Sequence, residues 1–251
     1  MAEDVTRVLL VTGGGRGIGA ATARLGARRG YAVCVNYLRD EAAARGVVDA
    51  IAAEGGRAHA VRGDVSREAD VVAMFDAAQA LGPLVAVVNN AGILERHMRL
   101  DEMEAERFTR VMATNVTGVL LCAREAVRRM STRHGGRGGA IVNVSSMAAR
   151  LGSPGEYVDY AASKGAVDSL TIGLAREVAA EGIRVNAVRP GVIYTDIHAS
   201  GGEPGRVERV KSAVPMQRGG EAGEVARAIL WLLSDESSYC TGTFVDVSGG
   251  R

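Results

Sequence analysis

The chain opens with an apolar run, "RVLLVT" (7–12), that stops on a cluster of glycines and passes directly into the helically spaced "GIGAATARLGARRG" (17–30). This junction constrains the fold more than any other feature. A short run without polar alternation reads as a strand covered on both faces. A glycine turn followed at once by a helix starts a strand–helix–strand unit, whose crossover is right-handed and whose strands are parallel.

The rest of the chain keeps the same rhythm. "YAVCVN" (31–36), "RAHAVRG" (57–63), "PLVAVVNN" (83–90), "GAIVNVSS" (139–146), "IRVNAVRP" (183–190) and "GTFVDVSGG" (242–250) read as strands. Helical spacing covers 40–56, a stretch from Ser66 as N-cap to about Ala80, and then 104–133, 157–181, 204–213 and 222–234. "GGRGG" (135–139) reads as a turn between helix and strand. The fold class is therefore α/β: a doubly wound, Rossmann-type parallel sheet of seven strands flanked by helices. The 251 residues form one expected domain, 1–251, long enough to bury a core without staples. Residues 194–213, rich in Gly and polar residues, break the rhythm and read as a loose flap over a substrate site.

Composition narrows the function. A formal charge of +1 gives no general attraction to nucleic acid or an anionic membrane, and no apolar run is long enough to span a bilayer. Cys34, Cys122 and Cys240 lie far apart without ligand spacing, so neither a disulfide framework nor a metal site is expected. The acidic start, "MAEDVTRVLL", does not read as a signal peptide. These features point to a cytoplasmic protein.

The glycine loop carries the first chemistry. Gly13, Gly15, Gly17 and Gly19, with Arg16 and Ile18 between them, lie where the backbone must turn sharply and approach a ligand. The following helix presents free N–H groups and a positive dipole end, which suit a pyrophosphate. No GK[ST] follows, so this is not the loop of a P-loop NTPase.

The second chemistry lies in "EYVDYAASKGAV" (156–167). The chain contains two lysines, Lys164 and Lys211, and uses arginine for every other basic position. Residues four apart share a helix face, so Lys164 comes beside Tyr160. A free phenol titrates near ~10, too high for proton transfer at neutral pH. An adjacent cation favours the phenolate and is expected to lower that value. Lysine, a compact charge with three donors, suits this task better than the broad guanidinium fork. Lys211 reads as a solvated helix charge.

Taken together, these motifs resemble the short-chain dehydrogenase/reductase family. The spacing TGxxxGIG, "NNAG" (89–92), Asn115 in "MATNVTG", Ser146 in "VNVSS", Tyr160 and Lys164 in YxxxK, "RPGVIYT" (189–195) and "YCTGTFVDVSGG" occur in the family's order along essentially the whole chain. Within the family the chain looks most like bacterial reductases of the glucose 1-dehydrogenase and 3-oxoacyl-acyl-carrier-protein reductase type. The resemblance implies a catalytic tetrad of Asn115, Ser146, Tyr160 and Lys164. Ser145 is the rival to Ser146, because this chain carries about one extra residue between the serine and Tyr160. In related enzymes the asparagine position holds a water linked to the lysine, and the lysine also hydrogen-bonds the nicotinamide ribose. The same resemblance places Asp64 and Val65 at the adenine, Asn90, Ala91 and Gly92 along the cofactor, and Pro190, Gly191, Val192, Ile193 and Thr195 beside the nicotinamide.

The end of the second strand bears on the cofactor. NAD enzymes place a carboxylate there for the ribose 2′-hydroxyl, whereas an arginine accommodates a 2′-phosphate. Here Asn36 and Tyr37 end the strand, Arg16 and Arg39 flank it, and Asp40 reads as the cap of the next helix. NADP is the expected cofactor, with NAD second.

The expected activity is reversible conversion of a small carbonyl compound to an alcohol, with Tyr160 as acid/base and Ser146 steadying the substrate oxygen. A sugar, a 3-oxoacyl thioester or a generic carbonyl would each fit, and the alternative class is a dinucleotide-binding sensor without turnover. Glu156 and Tyr157 are pocket candidates by fold analogy. His59, His97, His134 and His198 show no ligand spacing, and His198, within the flap, reads as a surface histidine, with contact to substrate as the alternative. The family's habit implies a homotetramer packed through 104–133 and 157–181.

Overall fold

The computed structural model describes residues 6–251; the acidic residues 1–5 of the N-terminal reading lie outside them. In chain order the elements are β1 (Val8–Val11), α1 (Gly17–Arg28), β2 (Ala32–Tyr37), α2 (Glu41–Ala53), β3 (Ala58–Arg62), α3 (Glu68–Gln79) and β4 (Leu84–Asn89). There follow α4 (Ala105–Met112), α5 (Gly118–Met130), β5 (Gly139–Val144), α6 (Ala148–Leu151), α7 (Val158–Val178) and β6 (Ile183–Pro190). The chain ends with β7 (Ile193–Tyr194), α8 (Ile197–Ser200), α9 (Arg206–Val210), β8 (Gly220–Glu221), α10 (Ala222–Leu233) and β9 (Phe244–Val247).

Seven strands form one parallel sheet in the order β3-β2-β1-β4-β5-β6-β9. Period-two alternation in β1 shows why its apolar run is continuous. Leu9 and Val11 pack with Ala44 and Val47 of α2 and with Ile229 and Leu230 of α10. Val8 and Leu10 point the other way, toward Val71, Met74 and Phe75 of α3 and Cys122 and Ala126 of α5. Every residue of β1 is buried, and each such side chain contributes roughly 1.5–3 kcal/mol relative to exposure.

Three local expectations are corrected. Ser66 does not cap α3; the helix starts two residues later from Arg67, and the Ser66 hydroxyl instead donates to Asp64 Oδ1 (2.7 Å). The long helix expected over 104–133 is interrupted by a π-helical turn, Ala113–Thr117, with Asn115 at its centre. The flap region is not a loose loop: β7 pairs with β8, and α8 and α9 lie within it. Asp40 does cap α2, accepting from Ala43 N at 2.9 Å.

One buried ion pair fixes the helix that carries YxxxK. Arg107 on α4 donates from Nε and Nη2 to the two oxygens of Asp159 (2.8 and 3.1 Å) and from Nη1 to Arg96 O (2.6 Å). Both side chains are about 95% buried (5% and 3% exposed), so the geometry must repay their desolvation. It anchors the first turn of α7 one residue before Tyr160.

Candidate active site

The strand order reverses between β1 and β4, and a crevice opens there at the carboxyl ends of the strands. A cleft of about 1100 Å³ occupies it. The glycine loop forms one end and the first turns of α7 form the other.

At the loop end, Gly13 has φ +61°, a conformation that L side chains rarely adopt. Its N–H donates to Asn36 Oδ1 (3.1 Å), and Asn36 Nδ2 donates to Gly63 O (3.0 Å). Asn36 is thus a buried clip between loop and sheet, its side chain spent on backbone. Asn90 Nδ2 donates to Thr12 O and Gly13 O (2.9 and 3.0 Å), holding the "NNAG" turn to the glycine loop. Thr12, passed over in the sequence reading, accepts on its hydroxyl from the N–H groups of Asn90 and Ala91 (2.9 and 3.0 Å). Its position as the T of TGxxxGIG was the available signal. Gly19 packs rather than lines the cleft: a Cβ there would collide with Gly13 O and come within 2.6 Å of Asn90 Nδ2.

Gly13, Gly15, Arg16, Gly17 and Ile18 line the cleft at the start of α1, whose first turn has no side-chain cap. Open N–H groups and a backbone that turns through positive φ at Gly13 and Gly17 fit a pyrophosphate. Tyr37, Arg39, Asp64 and Val65 continue the lining. Arg16 and Arg39 are exposed, and neither makes an ion pair among the described residues. Asn90, Ala91 and Gly92 line one side of the middle, and Pro190, Gly191, Val192, Ile193 and Thr195 the other.

At the far end, α7 presents Tyr160 and Lys164 on one face. Lys164 Nζ lies 5.6 Å from the Tyr160 ring centroid and donates to Val144 O at 2.8 Å. Burial pushes the ammonium down to about 8, with Asp168 pulling it back up. Burial likewise pushes the Tyr160 phenol up to about 12, against a hydrogen bond from Ser146 that pulls it down. This reverses the expected lowering: desolvation of the hydroxyl outweighs a lysine 5.6 Å from the ring.

The two serines separate. Ser145 Oγ turns inward and donates to Asp168 Oδ1 (2.6 Å), a carboxylate that also accepts from Arg189 Nε (2.9 Å). Ser146 Oγ accepts from Ala148 N (3.1 Å) and faces the phenol. Asn115 is fully buried in the π-helical turn, outside the cleft lining. It accepts from Ile93 N (2.8 Å) and donates to Ile93 O (3.0 Å) and Ser163 Oγ (3.1 Å). Ser163 in turn donates to Tyr160 O (2.7 Å), so Asn115 ties the segment after β4 to α7. Gly92 lets that segment pass close to Asn115 and Lys164 together; a Cβ there would lie 3.4 and 3.6 Å from Oδ1 and Nζ.

Glu156 and Tyr157 line the cleft as expected. The Tyr157 ring stands edge-on to Tyr160 with centroids 5.9 Å apart, and the Arg206 guanidinium lies over it at 4.8 Å. Glu156 accepts from Arg206 Nη2 (2.6 Å) and Arg209 Nη2 (3.1 Å). Burial would raise its carboxyl, but these hydrogen bonds and charges hold it down at about 2. The flap is therefore pinned to the start of α7. His198 is half-buried with its ring in the cleft wall, which corrects its reading as a surface histidine. Among the described residues no group of three His, Cys, Asp or Glu side chains is arranged for a metal, and no helix is long and apolar enough to cross a membrane.

Comparison with known proteins agrees with this geometry. The family model described as enoyl-(acyl carrier protein) reductase matches residues 13–251. The oxidoreductase YgfF of Escherichia coli K12 is 63% identical over 245 residues, covering 97% of this chain and 99% of that protein. The 3beta-hydroxysteroid dehydrogenase 1 of Eggerthella lenta is 42% identical over 253 residues, covering 100% of this chain and 95% of that one. A short chain dehydrogenase from Burkholderia cenocepacia J2315, solved in complex with NADP, superimposes with a TM-score of 0.88 at 34% identity, over 96% of each chain. The chain belongs to the short-chain dehydrogenase/reductase family and is an oxidoreductase of the NAD(P)-dependent kind.

Proposed function

We propose that this short-chain dehydrogenase/reductase interconverts a carbonyl compound and its alcohol, prefers NADP(H), and uses Tyr160 as the proton-transfer group. The observation that carries the reading is the meeting of Tyr160, Lys164 and Ser146 at one end of a cleft whose other end is the glycine loop. When bound, the dinucleotide supplies hydride exchange at its nicotinamide; the chain's own residues bind, orient and manage the proton.

The α1 N-terminus and Gly13–Gly17 backbone hold the pyrophosphate, Asp64 and Val65 the adenine, and Lys164 the nicotinamide ribose. Pro190–Ile193 and Thr195 flank the ring. In the reductive direction a phenol near 12 is fully protonated at neutral pH, the state a general acid needs to protonate a substrate alkoxide. Ser146 donates to the same oxygen and stabilises its developing charge. Lys164, still protonated below about 8, recharges the phenol and favours the phenolate in the oxidative direction. Asn115 positions this pair from behind.

The NADP preference is supported by Arg16 and Arg39, exposed and without an ion pair among the described residues beside the second-strand end, and by Asp40, whose carboxylate is committed to capping α2. The NADP carried by the Burkholderia cenocepacia relative agrees with it. Exposed Leu120 on α5 and Ile172 on α7 support the homotetramer. For substrate, the reading stays with ketones and aldehydes: one relative is named for a hydroxysteroid, and the family model for an acyl-carrier-protein reductase.

NADPH and NADH oxidation against ketones, aldehydes, keto sugars and 3-oxoacyl thioesters tests the proposal. NADPH is expected to support turnover well above NADH, and Arg16→Ala with Arg39→Ala to remove that preference. No turnover with any carbonyl, in either direction, would favour a non-catalytic dinucleotide sensor.

A further inference from the structure

Tyr160, Lys164 and Asp168 are spaced four apart on α7, so they form one row along a single helix face. The end of β5 fixes the last two. Lys164 Nζ donates to Val144 O (2.8 Å), and the next residue, Ser145, donates from Oγ to Asp168 Oδ1 (2.6 Å). Consecutive residues thus anchor an ammonium and a carboxylate as neighbours. The row runs phenol, cation, anion. Lys164 lines the cleft; Asp168 is 13% exposed and lies behind it, outside the lining.

Burial works against the Lys164 ammonium, and Asp168 is the charge that works for it. Other charges on the neighbouring elements are spent elsewhere: Arg107 of α4 on Asp159, Arg206 and Arg209 of α9 on Glu156, and Arg150, beside α6, on Asp246 of β9. Asp168 has one competitor. Arg189 of β6 donates from Nε to Asp168 Oδ2 (2.9 Å) and also lies 3.6 Å from Asp246. Its guanidinium, 15% exposed, offsets part of the field that the carboxylate exerts on Lys164.

Resting on the carbonyl reductase reading above, we propose that Asp168 is a positioning residue for proton transfer: from behind the cleft its carboxylate keeps Lys164 cationic, and Arg189 sets how strongly it does so. The cation is the form of Lys164 that recharges the phenol and stabilises the phenolate. Loss of the Asp168 charge therefore narrows the pH range over which the row works, and loss of Arg189 widens it.

The chain contains two lysines, so lysine labelled with ¹³C at Cε gives two side-chain resonances, which Lys211→Arg assigns. Glu208 pairs with Lys211 and raises its pKa, which leaves the lower midpoint to Lys164. Asp168→Asn removes the charge and keeps hydrogen-bonding groups toward Ser145 and Arg189; the Lys164 midpoint should fall by roughly half to one pH unit. Arg189→Met unmasks the carboxylate, and the midpoint should rise by a similar amount. At saturating NADPH, the alkaline limb of kcat/KM for the best carbonyl of the panel above should move in the same directions. A merely structural role for Asp168 would lower the denaturation midpoint and the rate without moving either. A Lys164 midpoint that stays or rises in Asp168→Asn overturns the inference, and so does a midpoint that moves while the limb stays. If Arg189→Met does not fold, Asp168→Asn decides alone. Absence of NADPH oxidation by the wild type with every carbonyl counts against the reductase reading, while the NMR titration still decides whether Asp168 holds Lys164 charged.

Discussion

Replacing Lys164 by methionine should make the protein more stable while removing its activity. Lys164 titrates at about 8 in the folded chain, against an ordinary value of 10.5. The shift is 10.5 − 8 = 2.5 pH units, and at 1.36 kcal/mol per unit it corresponds to about 3 kcal/mol. The folded state binds fewer protons here than the unfolded state between pH 8 and 10.5, so stability rises with pH across that window. Below pH 8 the whole cost is present. Methionine has a similar stem and no charge, so it removes that cost. It also leaves Val144 O without the 2.8 Å bond from Nζ, a loss of about 1 kcal/mol. The net gain at pH 7 is about 2 kcal/mol, or ~4–8 °C in Tm for a chain of this size. Urea or thermal unfolding of the two apoproteins at pH 7 and pH 10 checks it. The advantage of Lys164→Met should shrink as pH rises through the window, because the wild type sheds its proton. A variant less stable than wild type at pH 7, or a difference that does not change with pH, would refute the argument that burial of this ammonium is unfavourable.

The two serines should behave oppositely. Ser146→Ala should lower kcat by roughly 10²–10³-fold, as loss of one donor to a developing oxyanion does, with little change in stability. Ser145→Ala should keep proton transfer but destabilise, since Asp168 loses a 2.6 Å hydrogen bond; unfolding and steady-state assays on both variants separate the roles. Asp159→Asn leaves Arg107 buried without its counter-charge and should cost about 3–5 kcal/mol, read as a fall in denaturation midpoint.

Legibility in the sequence followed the range of the forces involved. The strands were readable because β1, β2 and β4 are buried on both faces and begin as continuous apolar runs, while β6 keeps Val185, Ala187 and Val188 buried between Arg184, Asn186 and Arg189. Asp40 was readable as a cap because the bond to Ala43 N is local. Tyr160 and Lys164 were readable as a pair because helical geometry alone brings them together. Ser66 misled because a cap and an Asx-type bond to Asp64 use the same residue types. The π-helical turn at Asn115 left no local signal, since it answers to Ile93 and Ser163, 22 and 48 residues away. The burial of His198 and the rise of the Tyr160 pKa depend on what the fold packs around them, and no spacing rule carries that. The rivalry between Ser145 and Ser146 likewise needed the strand end to show which hydroxyl turns toward Asp168.

In the proposed reaction Tyr160 moves the proton of an NADPH-dependent carbonyl reduction. The most direct measurement is NADPH oxidation by Tyr160→Phe, with NADPH affinity measured in parallel by fluorescence. Loss of the general acid should lower kcat by roughly 10²–10⁴-fold. Cofactor affinity should fall by no more than one neutral hydrogen bond, about ten-fold. Turnover equal to that of the wild type would contradict the claim.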